Sequence, residues 1–101
     1  MTSLVLAGAV TLAATVHPTL AQNAPTVEVE PLRGALHLLQ GRGGNVVASV
    51  GLDGVLLIDD DYPDLGEAYE EKITELAGGL APQFVINTHW HGDHTGNNQF
   101  W

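Results

Sequence analysis

The sequence predicts a mixed α/β (α+β) domain in which paired strands lead into a strand–helix–strand unit. Three features of the 101 residues predict this arrangement. Short apolar segments with strand periodicity occupy residues 27–58, an amphipathic helical pattern covers residues 64–80, and another apolar segment follows at 83–87. Because a strand–helix–strand unit has parallel strands, the two strands should end at the same edge of the sheet.

The first residues resemble an export signal. Residues 3–16 form an uncharged apolar stretch too short to span a bilayer comfortably, and small side chains at Thr19 and Ala21 fit a signal-peptidase site before Gln22. We therefore expect a signal peptide over 1–21, a loose leader over 22–26, and a periplasmic or secreted protein. The segment has no Lys or Arg, so an uncleaved anchor and a buried helix remain alternatives.

Composition limits the partners. The formal net charge is −9, and the three basic residues are scattered, so the chain offers no surface to neutralise a run of phosphates. The absence of cysteine excludes disulfides and thiolate ligands within this sequence. We expect a small-molecule substrate, no nucleic acid, and no stable membrane association once the signal is removed. The oligomeric state is left open.

The strand pattern predicts two hairpins. Residues 27–30 and 35–39 predict two short antiparallel strands, and the glycine-rich residues 40–44 predict a turn that could also border an active-site cleft. Residues 45–50 and 55–58 are apolar and are joined by a turn containing Asp53 and Gly54. The last of these strands is followed by three aspartates, of which we expect one or two to be solvated.

The helical pattern has recognisable ends. Asp64 is the expected N-cap, with Glu67 completing a capping box, and the helix should end at Gly78-Gly79. An apolar stripe includes Leu65, Ala68, Tyr69, Ile73, Leu76 and Leu80. Residues 95–101 predict the start of another helix, with Thr95 as its cap.

A cluster of metal-ligand residues follows the last predicted strand. It comprises His89, His91, Asp93 and His94. Imidazole and carboxylate groups without thiolates are typical of an open zinc site, and Gly92 would allow the chain to turn between the two pairs. A polar solvated loop with a chance histidine cluster is the alternative. Asp59 should leave the same sheet edge, where its carboxylate would hydrogen-bond the metal loop or orient a ligand imidazole.

These residues carry a resemblance to a known family. Residues 88–96, Thr-His-Trp-His-Gly-Asp-His-Thr-Gly, together with residues 84–87 and 54–59, resemble the metallo-beta-lactamase-fold hydrolases. The resemblance covers the chain from about Val27 to its last residue. It implies the N-terminal half of a four-layer αββα sandwich, with a dinuclear site that usually holds two Zn²⁺ ions.

The resemblance also implies residue roles. His89 and His91 match ligands of the first metal, Asp93 and His94 match ligands of the second, and Asp59 matches the family's acidic residue after the second core strand. The implied activity is metal-assisted hydrolysis of an ester, lactone or beta-lactam, with Asp93 as the catalytic residue that orients the attacking water. The resemblance chooses neither the substrate nor the metal.

The family's remaining ligands have no counterpart, because no His, Asp or Glu follows His94. We therefore expect residues 27–101 to be a truncated N-terminal half, and the isolated chain to have little or no activity. Two other functions stay open. One is a non-catalytic metal-binding module, and the other is a half-domain that needs a partner chain.

Overall fold

The computed structural model describes residues 8–15 and 24–101. Residues 8–15 are exposed and form neither helix nor strand, and the predicted signal-peptidase site before Gln22 lies outside the described residues. In those two ranges, no helix combines the length and apolar character needed to cross a bilayer.

The fold is a five-stranded sheet with one long helix. Its elements are β1 (Glu28–Arg33), β2 (Leu36–Gln40), β3 (Val46–Gly51), β4 (Gly54–Ile58), α1 (Gly66–Ala77), β5 (Phe84–Ile86) and α2 (Gly92–Thr95). The strands lie side by side in chain order. Strands β1 to β4 pair antiparallel, whereas β4 and β5 are parallel. The predicted α/β class, both hairpins and the strand–helix–strand unit are confirmed.

The core lies between α1 and one face of the sheet. Alternation along the strands directs Leu39, Ala48 and Leu57 to this face, where all three are fully buried. Helix α1 contributes Tyr69 and Ile73 to the same cluster. Burial of a large apolar side chain such as Leu57 or Ile73 stabilises a fold by roughly 1.5–3 kcal/mol. The packing of α1 on the sheet therefore holds the strands, and with them their carboxyl ends, in place.

The opposite face of the sheet is also apolar but is partly exposed. Cross-strand pairs join Leu38 to Val47, Val47 to Ile58, and Ile58 to Ile86. At the β5 edge, Phe84 is 66% exposed and Ile86 is 53% exposed. We call this surface the open face; it comprises Leu36, Leu38, Val47, Leu56, Ile58, Phe84 and Ile86.

Two predicted helix starts are wrong. A 3-10 turn, Pro63–Leu65, precedes α1, and the helix N-cap is Leu65, without a side-chain cap. The Asp64 carboxylate instead accepts a 2.6 Å hydrogen bond from the Arg42 guanidinium. Near the end of the chain, the helical turn α2 starts at Gly92 and not after Thr95. Thr95 is instead the last residue of this turn, and its hydroxyl donates to the His91 carbonyl.

The predicted end of α1 is confirmed. Gly78 takes a left-handed conformation with φ 61°, and its N–H donates to the Thr74 carbonyl. Glycine adopts this conformation without the strain that a Cβ atom would bring. The chain then turns toward β5, which enters beside β4 and brings the histidine cluster to the end of the sheet.

Candidate functional site

The histidine cluster lies directly beyond the carboxyl end of β5. The ring centroids of His89 and His91 are 4.7 Å apart, and those of His89 and His94 are 4.0 Å apart. His94 Nε2 lies 3.5 Å from Asp93 Oδ2. The structure therefore brings together the four residues that the sequence singled out. The chain turns between the two pairs through α2, which begins at Gly92, and not through a bend that requires glycine.

Asp59 is the anchor of this cluster. Its carboxylate is buried at the end of β4 and accepts hydrogen bonds from the Thr88 N–H at 2.7 Å and the Thr88 hydroxyl at 2.8 Å. His94 Nδ1 lies 2.7 Å from Asp59 Oδ2. Asp59 has φ 64°, a left-handed conformation that aspartate tolerates better than most residues. The expected contact between Asp59 and the histidine loop is present; the contribution of Asp59 to metal binding stays a prediction.

The ionisation of this pair follows from the same contacts. Burial alone would raise the pKa of Asp59, but the hydrogen bonds from Thr88 and His94 outweigh it and lower that pKa below its ordinary value. Conversely, the hydrogen bond to Asp59 outweighs desolvation and raises the pKa of His94. Each partner therefore favours the charged form of the other.

Asp59 also orients His89, through Thr88. The Thr88 hydroxyl donates to Asp59, so it can accept a hydrogen bond from His89 Nδ1, which lies 2.9 Å away. In this tautomer, both His89 and His94 donate from Nδ1 and carry the lone pair on Nε2. A neutral imidazole held in this way can bind a metal through Nε2 or accept a proton there. The sequence alone did not indicate this role for Thr88, although Thr88 directly precedes His89.

The expectation that one or two of the three aspartates would be solvated is wrong, because all three are buried. Asp59, Asp60 and Asp61 are at most 4% exposed. Asp60 accepts a hydrogen bond from the Asn97 N–H, while the Asn97 side-chain amide donates to the Asp60 carbonyl. Burial raises the pKa of Asp60 to about 6, helped by the two neighbouring carboxylates and opposed by the Asn97 N–H.

The glycine-rich turn between β2 and β3 reaches the same site. The Gly44 N–H donates to the Asp93 carbonyl at 3.1 Å. A Cβ atom on Gly43 would lie 2.7 Å from Asp93 Cβ, so the two backbones are in close contact. The prediction that this turn borders the site agrees with its position.

Solved structures with the same fold decide the classification. The chain is similar to BJP-1, a subclass B3 metallo-beta-lactamase of Bradyrhizobium japonicum, with a TM-score of 0.64 and 24% identity over 76% of this chain. It is also similar to the metallo-beta-lactamase GOB-18 from Elizabethkingia meningoseptica, with a TM-score of 0.66 and 18% identity over 91% of this chain. The chain has the metallo-beta-lactamase fold. A beta-lactamase from Chitinophaga pinensis gives a TM-score of 0.65 with 16% identity over 88% of this chain.

The match with the metallo-beta-lactamase fold confirms the resemblance at the level of the fold. The chain spans about a third of the length of these solved structures, between 30% and 34% of each. No protein-family model matches the chain, and no curated protein does.

The set of metal-binding residues within this metallo-beta-lactamase fold stays a prediction. Among residues 8–15 and 24–101, no three His, Cys, Asp or Glu side chains are arranged so that they could hold a metal ion. The chemistry of the donors nevertheless fits zinc, because three imidazoles and a carboxylate lie within one loop and Asp59 holds His94 through Nδ1. His94 Nε2 faces Asp93, the other residue predicted to bind the second metal.

Proposed function

We propose that this chain carries the metal-binding part of a zinc-dependent hydrolase that acts on a small-molecule ester, lactone or beta-lactam. The residues that would hold the metal are His89, His91, Asp93 and His94, with two Zn²⁺ ions in a complete site. The observation that carries the proposal is a set of hydrogen bonds: Asp59 accepts from His94 Nδ1 and from the Thr88 hydroxyl, which in turn accepts from His89 Nδ1. This set orients two imidazoles that a purely structural loop would leave free to rotate.

The chain's own residues have separable tasks in this proposal. Asp59 holds the His94 ring and fixes its Nδ1 tautomer. Asp93 would accept a hydrogen bond from the attacking water and orient it. Bound zinc would supply the acidity that lets such a water lose a proton near neutral pH.

The similar structures support the reaction class and one of the substrates. All three are described as beta-lactamases, two of them as metallo-beta-lactamases, so a beta-lactam belongs among the candidates for this chain. Esters and lactones stay candidates because one fold serves many substrates. Since no His, Asp or Glu follows His94, we expect little turnover by these 101 residues alone.

Equilibrium dialysis against zinc tests the proposal. We expect the chain to bind zinc, His91→Ala to lower the affinity by at least about tenfold, and His37→Ala to leave it unchanged. His37 is a suitable control because it lies in β2, with Nδ1 3.2 Å from the Ala35 carbonyl. Absence of zinc binding, or equal loss in both variants, would contradict the proposal. A chromogenic cephalosporin and a reporter ester would measure residual turnover in parallel.

The open face favours a second candidate, a half-domain that completes itself with a partner chain. Phe84 and Ile86 are large apolar side chains that are more than half exposed. Sedimentation velocity with and without zinc would test this function. We expect association that Phe84→Ser weakens, whereas a strictly monomeric chain at all concentrations would argue against it.

We also propose that the protein is exported to the periplasm or secreted. The support is the uncharged apolar composition of residues 3–16 and the small side chains before Gln22. Fractionation of bacteria that express the full chain, followed by mass spectrometry of its N-terminus, would test this. A chain that starts at Gln22 outside the cytoplasm is the expected result, and an intact cytoplasmic chain would contradict it.

A further inference from the structure

Asp61 is a buried carboxylate with four hydrogen-bond donors around it. Its Oδ1 accepts from the N–H groups of Gly43 at 2.9 Å and Tyr62 at 2.7 Å. Its Oδ2 accepts from the Arg42 N–H at 3.1 Å and the Tyr69 hydroxyl at 2.8 Å. The residue is fully buried and has φ 61°. So many donors on one buried carboxylate compensate for the cost of removing its charge from water.

These contacts join two parts of the molecule that are distant in sequence. Two of the donors, Arg42 and Gly43, belong to the glycine-rich turn, and a third, Tyr69, belongs to α1 at the centre of the core. Asp61 also accepts a backbone hydrogen bond from Gly96, just beyond the histidine cluster. Asp61 thus fixes the turn relative to both the core and the proposed metal loop.

The turn packs closely on two of the proposed metal ligands. Gly44 donates to the Asp93 carbonyl, and a Cβ atom on Gly44 would lie 2.6 Å from His94 Nε2 and 2.8 Å from the Asp93 carbonyl oxygen. Asp59 occupies the other nitrogen of the His94 ring, Nδ1. Nε2 is therefore the nitrogen left for a metal, and only a residue without a side chain at position 44 leaves space beside it.

We propose that Asp61 is a positioning residue for the metal site: it holds the turn 40–44 against Asp93 and His94, while Gly44 keeps His94 Nε2 accessible. The proposal rests on the proposed function, because it assigns the turn a task at that same site. The hydrogen bonds of the Asp61 carboxylate go to Arg42, Gly43, Tyr62 and Tyr69, none of which is a proposed ligand. Its effect would pass through the backbone of Gly43 and Gly44.

Two variants of the full chain test the proposal. Asp61→Asn keeps a carbonyl oxygen for the Gly43 and Tyr62 N–H groups but places an amide N–H₂ against the Arg42 N–H, which itself donates. The start of the turn should therefore lose its hold on Asp61, and the contact between Gly44 and Asp93 should loosen. We expect amide hydrogen exchange at Gly44 to accelerate by about tenfold or more, with exchange at Leu57 in the core unchanged. Gly44→Ala keeps Asp61 but places a methyl group beside His94 Nε2. Both variants should lower zinc affinity by about 10–100-fold, the range typical of groups that support metal ligands.

Matched controls separate positioning from general destabilisation. Gly92→Ala makes the same substitution next to Asp93, but at a position where a Cβ atom meets nothing within 4 Å. Tyr69→Phe removes one donor from Asp61 and leaves its three backbone donors. Both controls should bind zinc within about twofold of the unsubstituted chain.

Each outcome decides the proposal. Unchanged Gly44 exchange in Asp61→Asn, or equal zinc affinity in Gly44→Ala and Gly92→Ala, would overturn it. If Asp61→Asn does not fold, Gly44→Ala decides through zinc affinity and the NMR signals of the His94 ring. If the unsubstituted chain binds no zinc, the proposed function fails. Gly44 exchange and the His94 ring signals then still decide whether Asp61 holds the turn in place.

Discussion

Replacing Asp59 with asparagine is the most informative single change in this molecule. Asparagine has nearly the same size and tolerates the left-handed conformation at φ 64°, so the substitution removes charge with little added backbone strain. Its carbonyl can still accept from the Thr88 N–H. Its amide would replace Oδ2 and face the Thr88 hydroxyl and His94 Nδ1, which both donate to that oxygen in the native chain.

The expected loss follows from these contacts. A hydrogen bond to a charged group contributes about 1.5–3 kcal/mol, and the Thr88 hydroxyl can rotate to a new partner. We therefore expect Asp59→Asn to lower the free energy of unfolding by about 2–3 kcal/mol near pH 6. His94 should turn its lone pair to Nδ1 to accept from the new amide and carry its proton on Nε2, which would weaken zinc binding by about 10–100-fold.

The stability lost in Asp59→Asn should depend on pH. The pKa of folded Asp59 is lowered from 3.8, so its contribution is present above pH 3.8 and is lost as the pH falls through the folded pKa. The pKa of folded His94 is raised from 6.5, so its contribution is complete below pH 6.5 and is lost as the pH rises through the folded pKa. The difference in free energy of unfolding between the native chain and Asp59→Asn should therefore be largest between pH 3.8 and pH 6.5.

Urea denaturation at several pH values, with NMR detection of the His94 tautomer, measures both effects. Asp64→Asn is the control, because that carboxylate is half exposed and forms its ion pair with Arg42 at the surface. We expect a much smaller change there. A pH-independent loss in Asp59→Asn, or an unchanged His94 pKa and tautomer, would refute the assigned role of Asp59.

Three further predictions concern the fold. Leu57→Ala should lower the free energy of unfolding by about 2–5 kcal/mol, and Ile86→Ala on the open face should lower it much less. Urea denaturation measures both changes. Equal losses in the two variants would contradict the assigned core. Because the folded pKa of Asp60 is raised from 3.8 to about 6, the folded state binds this proton more tightly than the unfolded state. The free energy of unfolding should therefore fall by up to ~3 kcal/mol as the pH rises from 3.8 to about 6. Carboxyl ¹³C NMR would show that pKa, and titration near 4 would contradict it. Gly78→Ala should lower the thermal midpoint through about 1 kcal/mol of strain, whereas Gly92→Ala should not.

Local patterns were sufficient to predict the sheet. Alternating residues in β1 and β2 and the Asp53–Gly54 turn between β3 and β4 each depend on neighbours in sequence. The parallel pairing of β4 and β5 follows from the helix between them. This pairing also placed Asp59 beside the histidine cluster, because parallel strands end at the same edge.

Features that depend on distant contacts could not be predicted. Asp64 has the sequence context of a helix cap, but its carboxylate pairs with Arg42 from a turn 22 residues earlier. Asp60 and Asp61 look like solvated residues, and most of the donors that make their burial possible come from the glycine-rich turn, α1 and Asn97, all distant in sequence. Three consecutive aspartates give no local sign of those partners.

The central claim is that the histidine loop binds zinc, and NMR of the imidazole rings during a zinc titration of the full chain tests it most directly. We predict that zinc shifts the ring signals of His89, His91 and His94 and leaves those of His37 in β2 unchanged. Ring signals of the three loop histidines that do not respond to zinc, or that respond no more than His37, would contradict it.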